Sequence, residues 1–483
     1  MTKLTFYGGV GEIGGNKILL EEKDARIFLD FGMSFTLAEK FFSEFLQPRK
    51  CNGVGDLIEF NLLPDIEGLY REDYLQDKKK REEVKYDAII LSHAHGDHAA
   101  YIHYIRKEIP IYCSLITRQI LKALEITSSS GFSDFLHLKE NFKLIESKKG
   151  RLRWAKGAES KVERPFKILK EENFIKCFKI KSLPVCHSLP GALGFIIEGK
   201  NVSIVYTGDF RFHGYSGELT REFIEEMIKN KPEIMICEGT RIEEKENTLL
   251  TEEELKNKVS KIIKETQGLV VVNFPIRDID RMISFFEAAR ENNRKLVINS
   301  KQAYLLNLLR EVDPALPQLG EVAVYLSRKR KGVITDPSYP DYLVQQDYEL
   351  WEQEFLHHPA AVTFKDIRDN PSFFLFRCDF FELKELIDIR PPRGSCYIRS
   401  ITEPFDEEMM IEKKRADNWL KHFGLYPYHQ IHCSGHASGG EIQEMVNMVK
   451  PKILIPVHTE KPHLFRNFHK RVKIVSPGET LKF

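Results

Sequence analysis

Apolar and polar positions over the first 32 residues alternate in short runs, with no helical spacing. Residues 4–7, 17–22 and 26–32 read as three strands, the last ending on Asp30-Phe31-Gly32. Between the first two, Gly9-x-Gly11-x-x-Gly14 matches a dinucleotide fingerprint, which needs a helix behind it. The residues that follow are strand-like, so the stretch is read as a hairpin connection and a nicotinamide site is rejected. The apolar run Ala88-Ile89-Ile90-Leu91 predicts a buried strand that delivers Ser92-His93-Ala94-His95-Gly96-Asp97-His98. A helix over 99–107, a strand at 111–113 and a helix over 117–126 follow. Further strands end on His187, Asp209 and Glu238. From about 243 the pattern changes to helices over 252–266, 280–292 and 302–311 alternating with strands 268–273 and 295–298. Strands 360–364, 373–376 and 395–398 and a helix over 407–422 close that segment. Such alternation predicts a parallel sheet. A helix to about 449 and a buried strand ending on His458 complete the chain.

The 483 residues suit two or three domains, and 42% apolar with 30% charged residues describes an ordinary globular protein. A net charge of +1 provides no global field for nucleic acid, so any such binding must come from local patches. The strongest patch is 148–170, with nine cations, two acids (Glu159 and Glu163) and Trp154. It reads either as a phosphate-tracking, base-stacking surface or as a solvated lysine-rich hairpin. The run Asp77-Lys78-Lys79-Lys80-Arg81-Glu82-Glu83 reads as solvated surface, and 62–71 as a loop over the rim of the site. His103 reads as a packing histidine. No run approaches the ~18 apolar residues of a membrane span, and Met1 to Tyr7 is no signal peptide. The eight cysteines form no C-x-x-C pair and read as reduced, buried thiols of a cytoplasmic protein, Cys186 and Cys433 included.

Three imidazoles and a carboxylate within six residues form a ligand set that suits zinc or manganese. Gly96 removes a side chain from the tightest part of the turn, so ligands can point to both sides, as a pair of metals ~3.5–4 Å apart requires. Asp209, at a strand end, has two oxygens with which to bridge such a pair.

His93-Ala94-His95-Gly96-Asp97-His98 resembles the signature of the metallo-β-lactamase-fold hydrolases. His187 resembles that family's third metal motif and Asp209 its fourth. Glu238, His436 and His458 match the three extra motifs of the β-CASP branch, above all ribonuclease J and its archaeal relatives. The opening Gly-rich loop resembles that group too. The likeness spans nearly the whole chain, is strongest at 86–98, 187–240 and 430–460, and is weak at 33–85 and 315–390.

The resemblance implies an α/β fold: a metallo-β-lactamase αββα sandwich with an inserted α/β β-CASP domain. The expected boundaries are 1–242 and 428–483 for the sandwich and 243–427 for the insertion. It assigns His93, His95 and His187 to one zinc and Asp97, His98 and His458 to a second, with Asp209 bridging; Mn2+ is the alternative metal. Asp30 is expected to support the metal loop from behind. Asp97, His436 and Glu238 are the catalytic candidates, with His436 as proton donor to a leaving 3′-oxygen and Glu238 orienting it. Ser434, Gly435, Ala437 and Ser438 flank His436 ahead of a helix and are expected to hold a substrate phosphate. The implied activity is zinc-dependent hydrolysis of RNA, single-stranded and either exo- or endonucleolytic, in the cytoplasm with no membrane contact. His458 stands where DNA-acting repair members carry Val, which favours RNA. A repair-type DNA nuclease, a small-ester hydrolase and an inactive scaffold are the weighed alternatives. Because the chain stops at Phe483, the family's usual C-terminal domain is not expected, and a homodimer stays open.

Overall fold

Strands with alternating apolar side chains build two sheets that face each other in the first part of the molecule. The structure is a computed structural model that describes all residues except 44, 76–81, 129–133, 141–142, 245–249 and 405–406. The charge run at 77–83 lies outside the described residues except for Glu82 and Glu83. The chain forms two units, one of Met1–Phe212, Ser216–Thr248 and His436–Phe483, the other of His213–Tyr215 and Leu249–Gly435.

In the first unit, one seven-stranded sheet runs Phe166–Ile168, Ile111–Cys113, Ala88–Ile90, Ala25–Leu29, Lys17–Glu22, Thr2–Gly8, Thr480–Lys482. A six-stranded sheet runs Glu172–Ile175, Phe178–Pro184, Leu193–Glu198, Ser203–Tyr206, Ile234–Glu238, Ile453–Val457. Leu4, Phe6, Ile18, Ile27 and Ile90 of the first sheet meet Ile180, Phe195, Ile204, Ile236 and Ile455 of the second in one buried core. Each such side chain contributes about 1.5–3 kcal/mol by leaving water. Helices Gly217–Asn230 and Gly439–Val449 cover the outer face of the second sheet, where Phe223, Met227, Ile442 and Met445 pack on Met235 and Leu454. Lys17–Glu22 pairs antiparallel with Thr2–Gly8, so the glycine-rich stretch is a hairpin connection.

The second unit is a seven-stranded sheet whose pairings are all parallel: Ala361–Val362, Ala323–Tyr325, Lys295–Asn299, Phe374–Arg377, Val270–Asn273, Cys396–Arg399, His429–Gln430. Its first helix, Glu252–Glu265, starts at a capping box in which Thr251 and Glu254 satisfy each other's backbone amides. The expected strand over 360–364 shrinks to Ala361–Val362 because Thr363 caps the helix Phe364–Asp369.

Two other expectations change. The helix read over 99–107 is a single turn, Gly96–Ala99, running into a 3-10 segment, Ala100–Tyr104. Outside segments claim its backbone: Phe31 N–H donates to the His98 carbonyl at 2.8 Å, and Tyr101 N–H donates to the Phe31 carbonyl at 3.1 Å. The stretch at 62–71 is partly core: Leu62, Leu63, Leu69, Tyr70 and Arg71 are buried, Asp65 and Glu67 are exposed, and Arg71 binds Asp73, Asp134 and the Lys139 carbonyl. His103 is buried beside Tyr74 and Asp134, as packing predicts. All eight cysteines are free thiols, but only five are buried: Cys51 is exposed, and Cys177 and Cys396 are half-buried. No helix among the described residues is long and apolar enough to cross a membrane.

Candidate metal centre

The strand Ala88–Ile90 leads through Leu91 into Ser92, and the residues after it turn sharply because two glycines let them. A Cβ on Gly32 would lie 1.7 Å from the Asp97 carbonyl oxygen, and one on Gly14 (φ +81°) would lie 2.6 Å from Asp97 Cβ. The hairpin connection and the end of strand Ala25–Leu29 thus press directly against the metal loop. Asn16 N–H donates to the Asp97 carbonyl at 3.0 Å, and His458 N–H donates to the Gly9 carbonyl at 2.7 Å.

Ligand atoms from four strand ends converge. His93, His95 and His187 form one group and Asp97, His98, Asp209 and His458 a second, with the atoms of each group within 4.8 Å of one another. His95 Nδ1 lies 2.9 Å from His93 Nε2 and 3.1 Å from His187 Nε2. Asp209 Oδ2 lies 3.1 Å from His98 Nε2, 3.5 Å from His458 Nε2 and 3.8 Å from His93 Nε2. It therefore touches both groups. Asp97 Oδ2 lies 2.9 Å from His458 Nε2.

Residues behind the ligands set the imidazole tautomers. Asp30 is fully buried with a left-handed backbone (φ 56°). Its carboxylate accepts from Ser92 N and Oγ at 2.7 Å each, from His98 Nδ1 at 2.7 Å and from Tyr206 OH at 2.6 Å. Since the Ser92 hydroxyl donates to Asp30, it accepts from His93 Nδ1 at 3.0 Å. Thr240 repeats the arrangement, donating to Glu238 at 2.9 Å and accepting from His458 Nδ1 at 2.8 Å. With Nδ1 carrying the proton in His93, His98 and His458, each Nε2 lone pair faces the cluster, as metal ligation requires. His98 Nε2 and Asp209 Oδ1 are buried with no hydrogen-bond partner. Asp209 Oδ1 has no donor, and within hydrogen-bonding distance His98 Nε2 meets only the carboxylate of Asp209; a cation bound between them completes both, so the residues fit a metal. Ser92, Thr240 and Tyr206 were not singled out by the sequence; their only signal is position beside a motif.

The two groups differ electrostatically. Burial holds His93 and His187 well below the ordinary histidine range. Burial also opposes charge on His98, but Asp209, Asp97 and Asp30 outweigh it and raise His98 well above that range. His458 is raised to about 9, against burial, by Asp209 and Asp97. Asp209 and Asp97 are themselves held well below the carboxylate range, against burial, by His458 and His98. The first group is thus an all-nitrogen set, and the second mixes oxygen with nitrogen.

A third group, Asp209, Glu238, His436 and His458, adjoins these. His436 Nδ1 lies 3.2 Å from both Glu238 oxygens and 3.9 Å from Asp209 Oδ2. Glu238 is buried and fixed by Phe210 N–H at 3.1 Å and Thr240 N–H at 3.2 Å. Two expected phosphate-holding residues do not offer the groups expected of them. Ala437 N–H donates to the Phe210 carbonyl at 2.8 Å, and Ser438 N–H and Oγ bond Glu441 in the capping box of helix Gly439–Val449. Ser434 and Gly435 fall in the second unit, where the Ser434 carbonyl accepts from His213 Nε2 at 2.9 Å.

The fold and the convergent ligands define a metallo-β-lactamase-fold hydrolase that binds metal. A family model for the beta-lactamase superfamily domain matches residues 60–256, and one for the Zn-dependent metallo-hydrolase RNA specificity domain matches 428–470. Within that class the chain is ribonuclease J-like. It is 24% identical to Ribonuclease J of Mycoplasma genitalium over 481 residues, 95% of this chain and 68% of that one. Ribonuclease J of Sinorhizobium meliloti is 26% identical over 95% of this chain and 68% of its own, and Ribonuclease J2 of Bacillus subtilis 23% over 95% and 69%. The crystal structure of a protein of unknown function from Enterococcus faecalis V583 shares the fold at TM-score 0.73 and 23% identity, covering 99% of both chains.

Proposed function

We propose that the chain hydrolyses phosphodiester bonds of single-stranded RNA at a pair of zinc ions. The carrying observation is the convergence of seven ligands in two groups that share Asp209. His93, His95 and His187 would hold one ion, Asp97, His98 and His458 the other, and Asp209 both. Two such ions supply Lewis-acid stabilisation of charge growing on a phosphoryl group. Manganese meets the same mixed donor set. Asp97 would help to hold the second ion.

The chain's own proton chemistry rests on His436. Glu238 holds its Nδ1, which leaves Nε2 to give a proton to the leaving 3′-oxygen. Ser434 and Gly435 stay the candidates for a substrate phosphate, and the second unit is proposed as the inserted β-CASP domain. A cytoplasmic protein and a homodimer complete the reading.

The test separates proton transfer from metal binding. His436→Ala should retain about two zinc equivalents by elemental analysis and lose roughly 10²–10⁴ in turnover of end-labelled RNA. Glu238→Gln should lose less, because the imidazole remains. A substrate with sulfur at the 3′ leaving position needs no proton and should rescue His436→Ala but not His95→Ala. Loss of an ion from His436→Ala, with no rescue, would make His436 a ligand instead. Comparing 5′-phosphate with 5′-triphosphate ends in a timed digestion assigns exo- or endonucleolytic action.

A further inference from the structure

The carboxyl edge of the second unit's sheet holds a cavity that none of the metal ligands lines. Lys295–Asn299 and Phe374–Arg377 are neighbouring parallel strands whose onward connections leave in opposite directions. From Asn299 the chain enters the helix Ser300–Arg310 and then the strand Ala323–Tyr325 on one side. From Arg377 it runs on to Cys396–Arg399 on the other. In a parallel α/β sheet such a reversal opens a crevice beyond the strand ends, where ligands bind. This one encloses about 470 Å³, within the range of small-molecule pockets.

Its walls balance in charge: Lys301, Arg328, Lys329 and Lys384 line it together with Glu352, Asp379, Glu382 and Glu385. Most of these charges are met inside the protein. Arg377 reaches Asp379 at 3.0 Å and Glu382 at 2.8 Å, Arg328 reaches Asp388 at 2.6 Å, and Lys329 pairs with Glu352. Three charged side chains stay open. Lys301 and Lys384 are exposed and in no ion pair among the described residues. Glu385 is only 7% exposed; one of its oxygens takes the Tyr325 hydroxyl at 2.7 Å, and the other takes no donor among the described residues. Phe381, also in the wall, is 76% exposed, and its ring meets Phe380 edge-on at 5.3 Å.

The open groups describe a ligand. Asn299, Ser300 and Lys301 bring the first turn of the helix to the cavity, and its leading amides have no partner within the helix. Those amides and two free ammoniums suit one phosphate. The exposed ring suits a base. The unpaired Glu385 oxygen is a buried acceptor that stays costly until a donor reaches it, and a ribose hydroxyl is such a donor. Balanced walls project little field, so the cavity selects by fit and not by attraction for a polyanion. We infer that this cavity binds a nucleoside monophosphate, its phosphate on Lys301, Lys384 and the helix N-terminus, its base on Phe381 and a ribose hydroxyl on Glu385. The inference is drawn from the second unit alone and stands whether or not the metal centre cleaves RNA. A free nucleotide and a nucleotide within a strand share this chemistry.

Calorimetric titration of AMP into the metal-stripped full chain tests it. AMP should bind saturably, and adenosine roughly tenfold or more weakly, because the charged contacts to phosphate are then missing. 2′,3′-Dideoxy-AMP should bind roughly fivefold or more weakly than AMP, because the Glu385 oxygen is left without its donor. The double variant Lys301→Ala, Lys384→Ala should bind AMP no better than the unaltered protein binds adenosine. Phe381→Ala should weaken binding by roughly fivefold or more and Phe381→Trp far less, since a ring remains to stack. All three substituted side chains are exposed, so the urea midpoints of these variants should match that of the unaltered protein. No saturable binding at millimolar AMP, equal binding of AMP, adenosine and dideoxy-AMP, or unchanged AMP affinity in the lysine and Phe381→Ala variants would overturn the inference. So would loss of AMP binding in His95→Ala, because the nucleotide would then sit at the metal ligands. A 5′-phosphorylated oligoadenylate that displaces AMP with higher affinity than AMP itself, and loses that advantage in the same variants, assigns the site to a nucleotide in a strand. Displacement no better than by AMP assigns it to a free nucleotide.

Discussion

The metal centre and the Arg281 cluster of the second unit are both assemblies of largely buried charge, built by opposite rules. Around Arg281 every valence closes within the protein. Its Nε and Nη2 each reach a Glu252 oxygen at 3.0 Å, Nη1 reaches the Ser400 carbonyl at 3.0 Å and hydroxyl at 2.6 Å, and Nη2 also reaches the Cys433 carbonyl at 2.8 Å. Glu252 takes a further hydroxyl from Ser284 at 2.8 Å. At the metal centre the outward sides of His93, His98 and His458 are closed in the same way, through Ser92, Asp30 and Thr240, but the inward side is not. His98 Nε2 and Asp209 Oδ1 lack hydrogen-bond partners. A closed network locks a fold together, whereas a network closed on one side only is a receptor for what completes it.

The largest expected effect breaks the open side. Asp209→Asn keeps the shape but loses the charge that both groups share. Metal ions supply several kcal/mol of charge stabilisation, so activity should fall by a factor on the order of 10⁴ at 1.36 kcal/mol per tenfold. Elemental analysis should show less bound metal.

Arg281→Met should behave in the reverse way. It strands Glu252 without its counter-charge, which costs about 3–5 kcal/mol of stability. Metal content per folded chain should not change. Adding Glu252→Gln should recover much of the loss, since the fully buried carboxylate that Arg281 neutralises has then gone. An unchanged urea midpoint in Arg281→Met alone would mean that this network does not hold the fold together.

The sequence shows the two regions unequally, and the reason is separation along the chain. Ligands that end strands were legible because a buried apolar run followed by His or Asp has few structural uses: Ile90-Leu91 before His93, Val205-Tyr206 before Asp209, Pro456-Val457 before His458. The parallel sheet was legible from strand–helix alternation, although Ala323–Tyr325 is too short to stand out. The closing partners were not legible. Tyr206 meets Asp30 across 176 residues and Arg281 meets Cys433 across 152, and a lone Tyr or Arg carries no mark of so distant a partner. What the sequence does not show is where the amides of Ala437 and Ser438 bond, to the Phe210 carbonyl and the Glu441 carboxylate.

Tyr206→Phe sharpens the comparison at smaller scale. It removes one of the donors to Asp30, together with the acceptor for Asn16 Nδ2 at 2.9 Å, and leaves every ligand in place. If the outward side matters through orientation and basicity of the imidazoles, metal affinity should fall by roughly 10–100-fold. Competition with a chromophoric chelator measures this, and saturating metal should restore activity. An unchanged affinity would show that Ser92 and the protein backbone suffice to aim His93 and His98.

Lys17 supplies the smallest effect and an intermediate case, a buried charge closed by neutral dipoles. Its ammonium donates to the Gly15 carbonyl at 2.8 Å and the Gly32 carbonyl at 2.9 Å, and lies 5.6 Å from the Tyr101 ring centre. No carboxylate pairs with it among the described residues; burial lowers its pKa to about 8, with Glu12 opposing from a distance. The ordinary lysine value is about 10.4, so between pH 8 and that value the unfolded chain binds more protons than the folded one. Stability must therefore rise with pH through this window, the opposite of a lysine that gains a carboxylate partner. Integrated from pH 7.5 to 9, the gain is about 1 kcal/mol relative to Lys17→Met, which has no proton to lose. Urea titrations of both proteins at the two pH values, taken as a difference of differences, cancel the other titrating groups. A flat difference would mean that the two carbonyls and the ring hold the ammonium as firmly as water does, and that Lys17 belongs with the closed networks after all.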